Sequence, residues 1–264
     1  MNILAICTAS SSGSIAICRD GIISFISFLD IKVTHSERLM PQIDFGLKQC
    51  KLTLDDIDLI AVANGPGSFT GIRIGLATAK GLCMGKEIPL YPVNTLELLS
   101  YNAFGTNLPI LPFIDAKMSE VYAALYSPQM KVLIEPQNTK PAEFLSQIKE
   151  PVFMLGDGVE KYQRIIAESG IEIRQALPHQ NIPMASTLIS MALNLPEIPK
   201  YNFDFIADLQ PYYLRKSQAE LVKEEREKHT PTPINRSHLS QEGNCPTPTR
   251  LSLRSASTEQ KGSA

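Results

Sequence analysis

The densest run of residue types that face ligands or carry nucleophiles is Gly65-Pro66-Gly67-Ser68-Phe69-Thr70-Gly71-Ile72-Arg73-Ile74-Gly75. It separates a strand-like segment from a helix-like one, where backbone N–H groups commonly face an anion or ligand. It is not a Walker A loop, because no Gly-Lys-Ser/Thr ends it. Nor is it the dinucleotide fingerprint, because Thr70 stands where the third glycine belongs. Ser68 and Thr70 carry hydroxyls, but the sequence places no His or Asp to activate them. Capping of the following helix is the better reading of both. Arg73 suits a phosphate, a partner carboxylate or water equally.

Two further acidic residues sit at the ends of strand-like runs, in Asp115-Ala116-Lys117-Met118-Ser119 and Gly156-Asp157-Gly158. Both can reach a ligand, and both are also ordinary turn formers. The histidines, His35, His179, His229 and His238, make no H-x-x-x-H pair, since Leu39 lies four residues after His35. No metal site is expected. Cys7, Cys18, Cys50, Cys83 and Cys245 form no C-x-x-C and read as small core residues or, for the last, part of a polar tail.

Strands and helices must hold these groups. Residues 3–6 are apolar, and Arg19-Asp20-Gly21 joins Ser14–Cys18 to Ile22–Phe28 as a hairpin. Thr34-His35-Ser36-Glu37 fits a capping box for a helix reaching Cys50, with Leu39, Met40, Ile43 and Leu47 on one face. Ile57–Ala63 reads as a buried strand and Thr70–Met84 as a helix. Ile88–Val93 and Thr95–Tyr101 follow as strand and helix, and Phe104-Gly105-Thr106-Asn107 as a linker. The pattern then restarts: strands 110–114, 120–126 and 131–135, helix 141–148, strand 152–155, helix 159–168 and helix 184–195. Two related α/β lobes are expected, 1–104 and a smaller 105–221.

Gly71, Gly75 and Gly81 lie inside the second helix. Each costs about 1 kcal/mol relative to Ala. Small residues one turn apart let another backbone come close. Either the helix packs on its own sheet there, or a partner docks.

The 264 residues carry 25 Lys+Arg and 27 Asp+Glu, a net charge of -2. A free-standing nucleic-acid binder usually has a basic surplus, and the absence of Trp leaves few stacking platforms. No membrane-spanning run or signal peptide is read, and a cytoplasmic protein is the simplest account. From Val222 onward the chain turns polar and Pro-rich without aromatics, and 222–264 reads as a disordered tail.

These residues resemble the TsaB (YeaZ) family. The likeness rests on Ile3-Leu4-Ala5-Ile6-x-Thr8, His35-Ser36-Glu37-Arg38-Leu39 and the run from Gly65 to Gly75. It continues through Ala79-Lys80-Gly81, Asp115-Ala116-x-x-x-Glu120-Val121-Tyr122, Gly156-Asp157-Gly158 and Pro211-Tyr212-Tyr213-Leu214-Arg215. The resemblance implies an α/β, two-lobed actin/Hsp70/sugar-kinase-like fold with mixed sheets. It implies a non-catalytic subunit in synthesis of threonylcarbamoyladenosine in tRNAs reading codons that start with A. The implied partners are the catalytic subunit TsaD, the ATPase TsaE through the assembly, and tRNA indirectly. A homodimer is expected when the chain is alone, and no cofactor is expected.

On this reading the partner surface comprises His35, Leu39, Met40, Ile43, Leu47, Gly71, Ile74, Gly75, Thr78 and Leu82. Candidate nucleotide-cleft residues are Thr8, Gly67, Ser68, Asp115, Gly156 and Asp157. One departure stands out: the family's first strand usually ends Asp-Thr-Ser, and here it is Cys7-Thr8-Ala9. A neutral Cys is no oxygen ligand for magnesium. The alternative function is an ATP-dependent phosphotransferase or hydrolase of the same superfamily.

Overall fold

A computed structural model describes residues 1–29 and 35–215, all within one compact unit. The Thr34–Glu37 capping box and the tail 222–264 lie outside those residues wholly or in part.

The first sheet grows from the hairpin. β1 (Ile3–Cys7) pairs antiparallel with β2 (Gly13–Arg19), and β2 with β3 (Ile22–Leu29). The two-residue turn has Asp20 at φ 52° and Gly21 at φ 80°. Positive angles of this kind are what a tight right-twisted hairpin needs. α1 (His35–Gln49) follows, then β4 (Leu59–Gly65) parallel to β1. α2 (Phe69–Lys86) crosses to β5 (Leu90–Asn94), parallel to β4. α3 (Thr95–Tyr101) leads to the second sheet.

That sheet repeats the plan. β6 (Ile110–Lys117), β7 (Glu120–Tyr126) and β8 (Val132–Thr139) are antiparallel neighbours. α4 (Pro141–Leu145) precedes β9 (Val152–Leu155), parallel to β6. α5 (Asp157–Lys161) and α6 (Gln163–Glu168) precede β10 (Ile173–Gln175), parallel to β9. The strand orders are β3-β2-β1-β4-β5 and β8-β7-β6-β9-β10, the same wiring twice. This duplication is the actin/Hsp70/sugar-kinase-like architecture that the resemblance implies.

The second lobe does not extend to 221. α7 (Ala185–Leu193) returns to the first sheet, where Ala185, Leu188, Ile189 and Ala192 pack with Ala5, Ala16 and Ala61. α8 (Phe203–Asp208) covers the opposite face, with Ile206 among Leu4, Val62 and Leu76. The reason is area: α1 and α2 cover one face of the first sheet, and the other face needs α7. The expected helix 159–168 breaks at Tyr162, whose hydroxyl turns inward to Asp115 and the Glu120 carbonyl, both at 3.2 Å.

Candidate functional site

A cleft of about 710 Å³ lies between the sheets. Its floor on the first sheet is the β1–β2 turn, Ala9 to Ser12, together with Gly67, Ser68 and Phe69 at the start of α2. The two loops are pinned: the Ser68 N–H donates to the Ala9 carbonyl at 2.7 Å. A Cβ on Gly67 would stand 2.0 Å from that same carbonyl. Only glycine fits there. Ser68 Oγ accepts from the Gly71 N–H at 3.3 Å. It thereby caps α2. The dipole of α2 favours an anion at this end.

The opposite wall holds Asp115, Lys117, Met118, Tyr122 and Asp157, and Arg215 reaches it from the chain's later segment. Asp115 is nearly buried and fully engaged. Lys117 and Lys161 each pair with it at 2.7 Å. Burial works against its charge, but the two lysines and the Lys117 N–H win, holding the carboxyl at about 2. Asp157 behaves in the opposite way. It opens into the cleft, yet the surrounding walls strip its hydration and raise its pKa, against the Asp115 N–H that donates to it at 2.9 Å. Thr95, also in the wall, has a buried hydroxyl with no hydrogen-bond partner among the described residues.

Of the six candidate cleft residues, Gly67, Ser68, Asp115 and Asp157 line this space. Thr8 and Gly156 do not. Thr8 is buried and its hydroxyl donates to the Gly71 carbonyl at 2.7 Å. Gly156 packs on the Phe113 backbone, where a Cβ would lie 2.4 Å from the carbonyl oxygen. Sequence reasoning missed Thr95 and Lys117, and Arg215 entered only as part of a motif. Their signal is tertiary, since α3, the β6–β7 turn and the C-terminal strap, residues 209–215, meet only in the fold.

Cys7 is no ligand. Its thiol is buried, donates to the Pro183 carbonyl at 3.4 Å, and is pushed up to about 11 by burial. No group of three or more metal-binding side chains exists among the described residues. Among the described residues no hydrogen-bonded nucleophile–base pair lines the cleft, and Ser68 is occupied as a cap.

The proposed partner face also needs correction. Leu39, Ile43 and Leu47 are core residues, packed with Ile15, Ile17 and Leu76. Gly71 and Gly75 turn toward β1: added Cβ atoms would lie 2.0 Å from the Thr8 carbonyl and 2.1 Å from its hydroxyl. Met40 is exposed, and Ile74, Thr78 and Leu82 are half-buried. Helix α1 begins at His35. The exposed small residues of α2 are instead Ala77, Gly81 and Gly85, and nothing stands within 4 Å of a Cβ on either glycine.

The strap ties the two sheets together. Lys80 donates to the carbonyls of Ala207 and Leu209, closing α8. The Tyr212 N–H donates to the Asn64 carbonyl at 2.8 Å. Tyr213 stacks on Phe69 at 4.2 Å and accepts from Arg73 Nε at 2.7 Å. Arg215 then donates to the Ala116 carbonyl at 3.3 Å and lies 3.6 Å from Glu120.

Known proteins are similar to this chain. A family model described as TsaD, tRNA N6-adenosine threonylcarbamoyltransferase, matches residues 30–221. The TsaB protein of Bacillus subtilis is 35% identical over 176 residues, 64% of this chain and 76% of that one. The TsaB protein of Escherichia coli is 31% identical over 228 residues, 83% of this chain and 96% of that one. The chain belongs to the TsaB family. A solved Pseudomonas aeruginosa structure, described as an uncharacterized protein with similarity to peptidase YEAZ, has a TM-score of 0.66. It is 25% identical and covers 81% of this chain and 99% of that one. The geometry makes the motif residues Thr8, Gly71, Gly75 and Gly156 devices of close packing.

Proposed function

We propose that this chain is a non-catalytic subunit in threonylcarbamoyladenosine synthesis on tRNA, acting in the cytoplasm and bound to a TsaD-type transferase. Membership of the TsaB family, whose curated members carry biosynthesis names for that modification, is the observation that carries the reading. The cleft supports the non-catalytic part: Asp115 is held by two lysines, and Cys7 replaces an oxygen ligand with a buried thiol. The exposed strip of α2 supports the partner part. Ala77, Thr78, Gly81 and Leu82, with Met40 of α1, offer a low, mainly apolar surface. An exposed helical glycine costs about 1 kcal/mol unless a close approach uses it. TsaE joins through the assembly, and tRNA joins through the transferase, because this chain lacks the basic surplus of a nucleic-acid binder.

The experiment is co-purification with the TsaD-type transferase of the same cell, then nucleoside analysis of tRNA from cells depleted of this chain. Co-elution and loss of the modified nucleoside are expected. Transfer by the purified single chain, without the transferase, would sink the non-catalytic reading.

A further inference from the structure

The charges that border the cleft balance. They belong to Asp115, Lys117, Asp157 and Arg215. Lys117 is engaged by Asp115 at 2.7 Å. Behind them Lys161 and Glu120 offset each other, 2.7 Å from Asp115 and 3.6 Å from Arg215. What remains is the Arg215 guanidinium, the Asp157 carboxyl and the positive end of the α2 dipole. Arg215 enters from the α2 side, two residues after Tyr213, which stacks on Phe69 in the first turn of that helix. Its side chain is mostly buried, and it donates to the Ala116 carbonyl at 3.3 Å and to Met118 Sδ. A guanidinium has donors beyond these, in a fork that matches a carboxylate. One negative charge suits this corner. A triphosphate brings several, and Asp157 borders the same space and opposes them.

The rest of the lining asks for a different chemistry. Leu99, Ile114, Met118, Ile182 and Pro183 present hydrocarbon. One buried polar atom among them has nothing to bind. Asn64 Oδ1, Thr95 Oγ1 and Asn138 Oδ1 are the buried side-chain atoms that lack a hydrogen-bond partner among the described residues. Of these three residues only Thr95 borders the cleft, and it is 1% exposed. An unpaired buried hydroxyl is costly, and a valine of the same shape would avoid that cost. A threonine here suits a ligand that brings a polar atom of its own.

We propose that the cleft binds an amphiphilic monocarboxylate. Its carboxylate sits at the start of α2 beside Arg215, an amide meets the Thr95 hydroxyl, and a branched apolar body lies against Leu99, Ile114 and Ile182. N-acylated amino acids and the C-terminal residue of a peptide share that chemistry. The helix end and the guanidinium fix the charged group, and the apolar walls enclose the body. This site is on the cleft side of α2, so it stands whether or not the exposed strip around Gly81 binds a transferase.

N-acetyl-L-leucine is the probe, titrated into the full chain by calorimetry, with N-acetyl-L-leucinamide as its uncharged counterpart. The acid is expected to bind with a Kd of about 1 mM or tighter, and the amide at least about tenfold more weakly. An acetylated tripeptide ending in leucine separates the two sources. Equal or tighter binding supports a peptide end, and weaker binding supports a free acylated amino acid. Arg215→Met should weaken the acid at least about tenfold and leave the amide unchanged. Thr95→Val should weaken both at least about threefold and raise the thermal midpoint by about 2 °C, because it deletes an unpaired hydroxyl. The acid–amide comparison uses the wild type alone and so holds even if Arg215→Met fails to fold by circular dichroism. No binding of the acid at about 10 mM, equal affinity for acid and amide, or an affinity unmoved by both variants would overturn the proposal. So would displacement of the probe by magnesium-ATP, which would make the cleft a polyphosphate site.

Discussion

The hydroxyl of Thr8 occupies the space that a side chain on Gly75 would need. A Cβ built on Gly75 would stand 2.1 Å from that oxygen, which already donates to the Gly71 carbonyl at 2.7 Å. Two glycines one turn apart let α2 rest on the end of β1. They place Ser68 and the helix N-terminus at the cleft.

Replacing Gly75 with Ala should therefore destabilise the isolated chain by about 2 kcal/mol, despite the gain in helix propensity. Adding Thr8→Ala should recover part of that loss, because the obstacle is a single side-chain oxygen. Urea unfolding of both single variants and the double variant gives the coupling directly. Additive losses would mean that the two residues do not compete for the same space.

Much of this fold is legible in the sequence, because the hairpin turn, the apolar runs and the restart of the pattern after Phe104 are local signals. The return of α7 to the first sheet is not local; nothing in Ala185–Leu193 says which sheet it covers. The glycines of α2 show the same limit. Their spacing announces a close approach, but Gly71 and Gly75 meet the protein's own strand while Gly81 and Gly85 meet solvent. Only the rotation of the helix on its sheet separates the two pairs. Asp115 and Asp157 look alike as turn residues; Asp115 is held down by Lys117, two residues away, and by Lys161, distant in sequence, whereas burial in the folded cleft raises Asp157.

Those two carboxylates predict opposite pH behaviour. Asp115 is held at about 2. That lies below its unfolded value near 4, so its stabilisation is present above about pH 4 and lost as pH falls toward 2. Its lysine partners are partly exposed. Solvent screening of these pairs leaves a contribution of about 1 kcal/mol. Asp115→Asn should cost that amount at neutral pH and progressively less as pH falls through about 2. Asp157 is raised, so its contribution is present below the ordinary carboxylate value and lost as pH rises through its folded pKa. Asp157→Asn keeps an oxygen for the Asp115 N–H and should be neutral or stabilising at pH 7. Chemical unfolding curves at a series of pH values separate the two residues. Parallel profiles for both variants would contradict this assignment.

The cleft also predicts a kinetic outcome. Magnesium-dependent ATP hydrolysis by the isolated chain should not exceed the rate of an Asp115→Ala variant. The carboxylate is engaged by lysines, and the Cys7 thiol stays protonated at any physiological pH. Steady-state phosphate release, with Asp157→Ala alongside, measures this. Turnover abolished by either substitution would favour the phosphotransferase reading.

The C-terminal strap should contribute to stability through one aromatic contact. Tyr213 covers Phe69 face to face, and Arg73 lies over the Phe69 ring at 4.7 Å while donating to the tyrosine hydroxyl. Tyr213→Phe removes only the hydrogen bond and should cost less than about 1 kcal/mol, because the site is exposed. Tyr213→Ala removes the stack as well and should cost about 1–2 kcal/mol. Equal losses in thermal unfolding would place the whole effect in the hydroxyl.

The exposed strip of α2 gives the sharpest test of the partner reading, because stability and binding should move in opposite directions. Gly81 has open space around it. Gly81→Ala should therefore stabilise the isolated chain by up to about 1 kcal/mol. If a transferase backbone approaches this strip, the larger Gly81→Leu should leave the chain folded and weaken binding by tenfold or more, about 1.4 kcal/mol. Gly75→Leu cannot separate these effects, since it disturbs the contact with Thr8. Phe45→Ala is the useful companion, because Phe45 leans on Phe25 at the β3 edge and away from the strip. Titration calorimetry against the transferase, with circular dichroism on the same samples, reads both quantities. Unchanged affinity in a folded Gly81→Leu variant would remove α2 from the interface. A loss shared equally by Phe45→Ala would move the contact to the β3 side of α1.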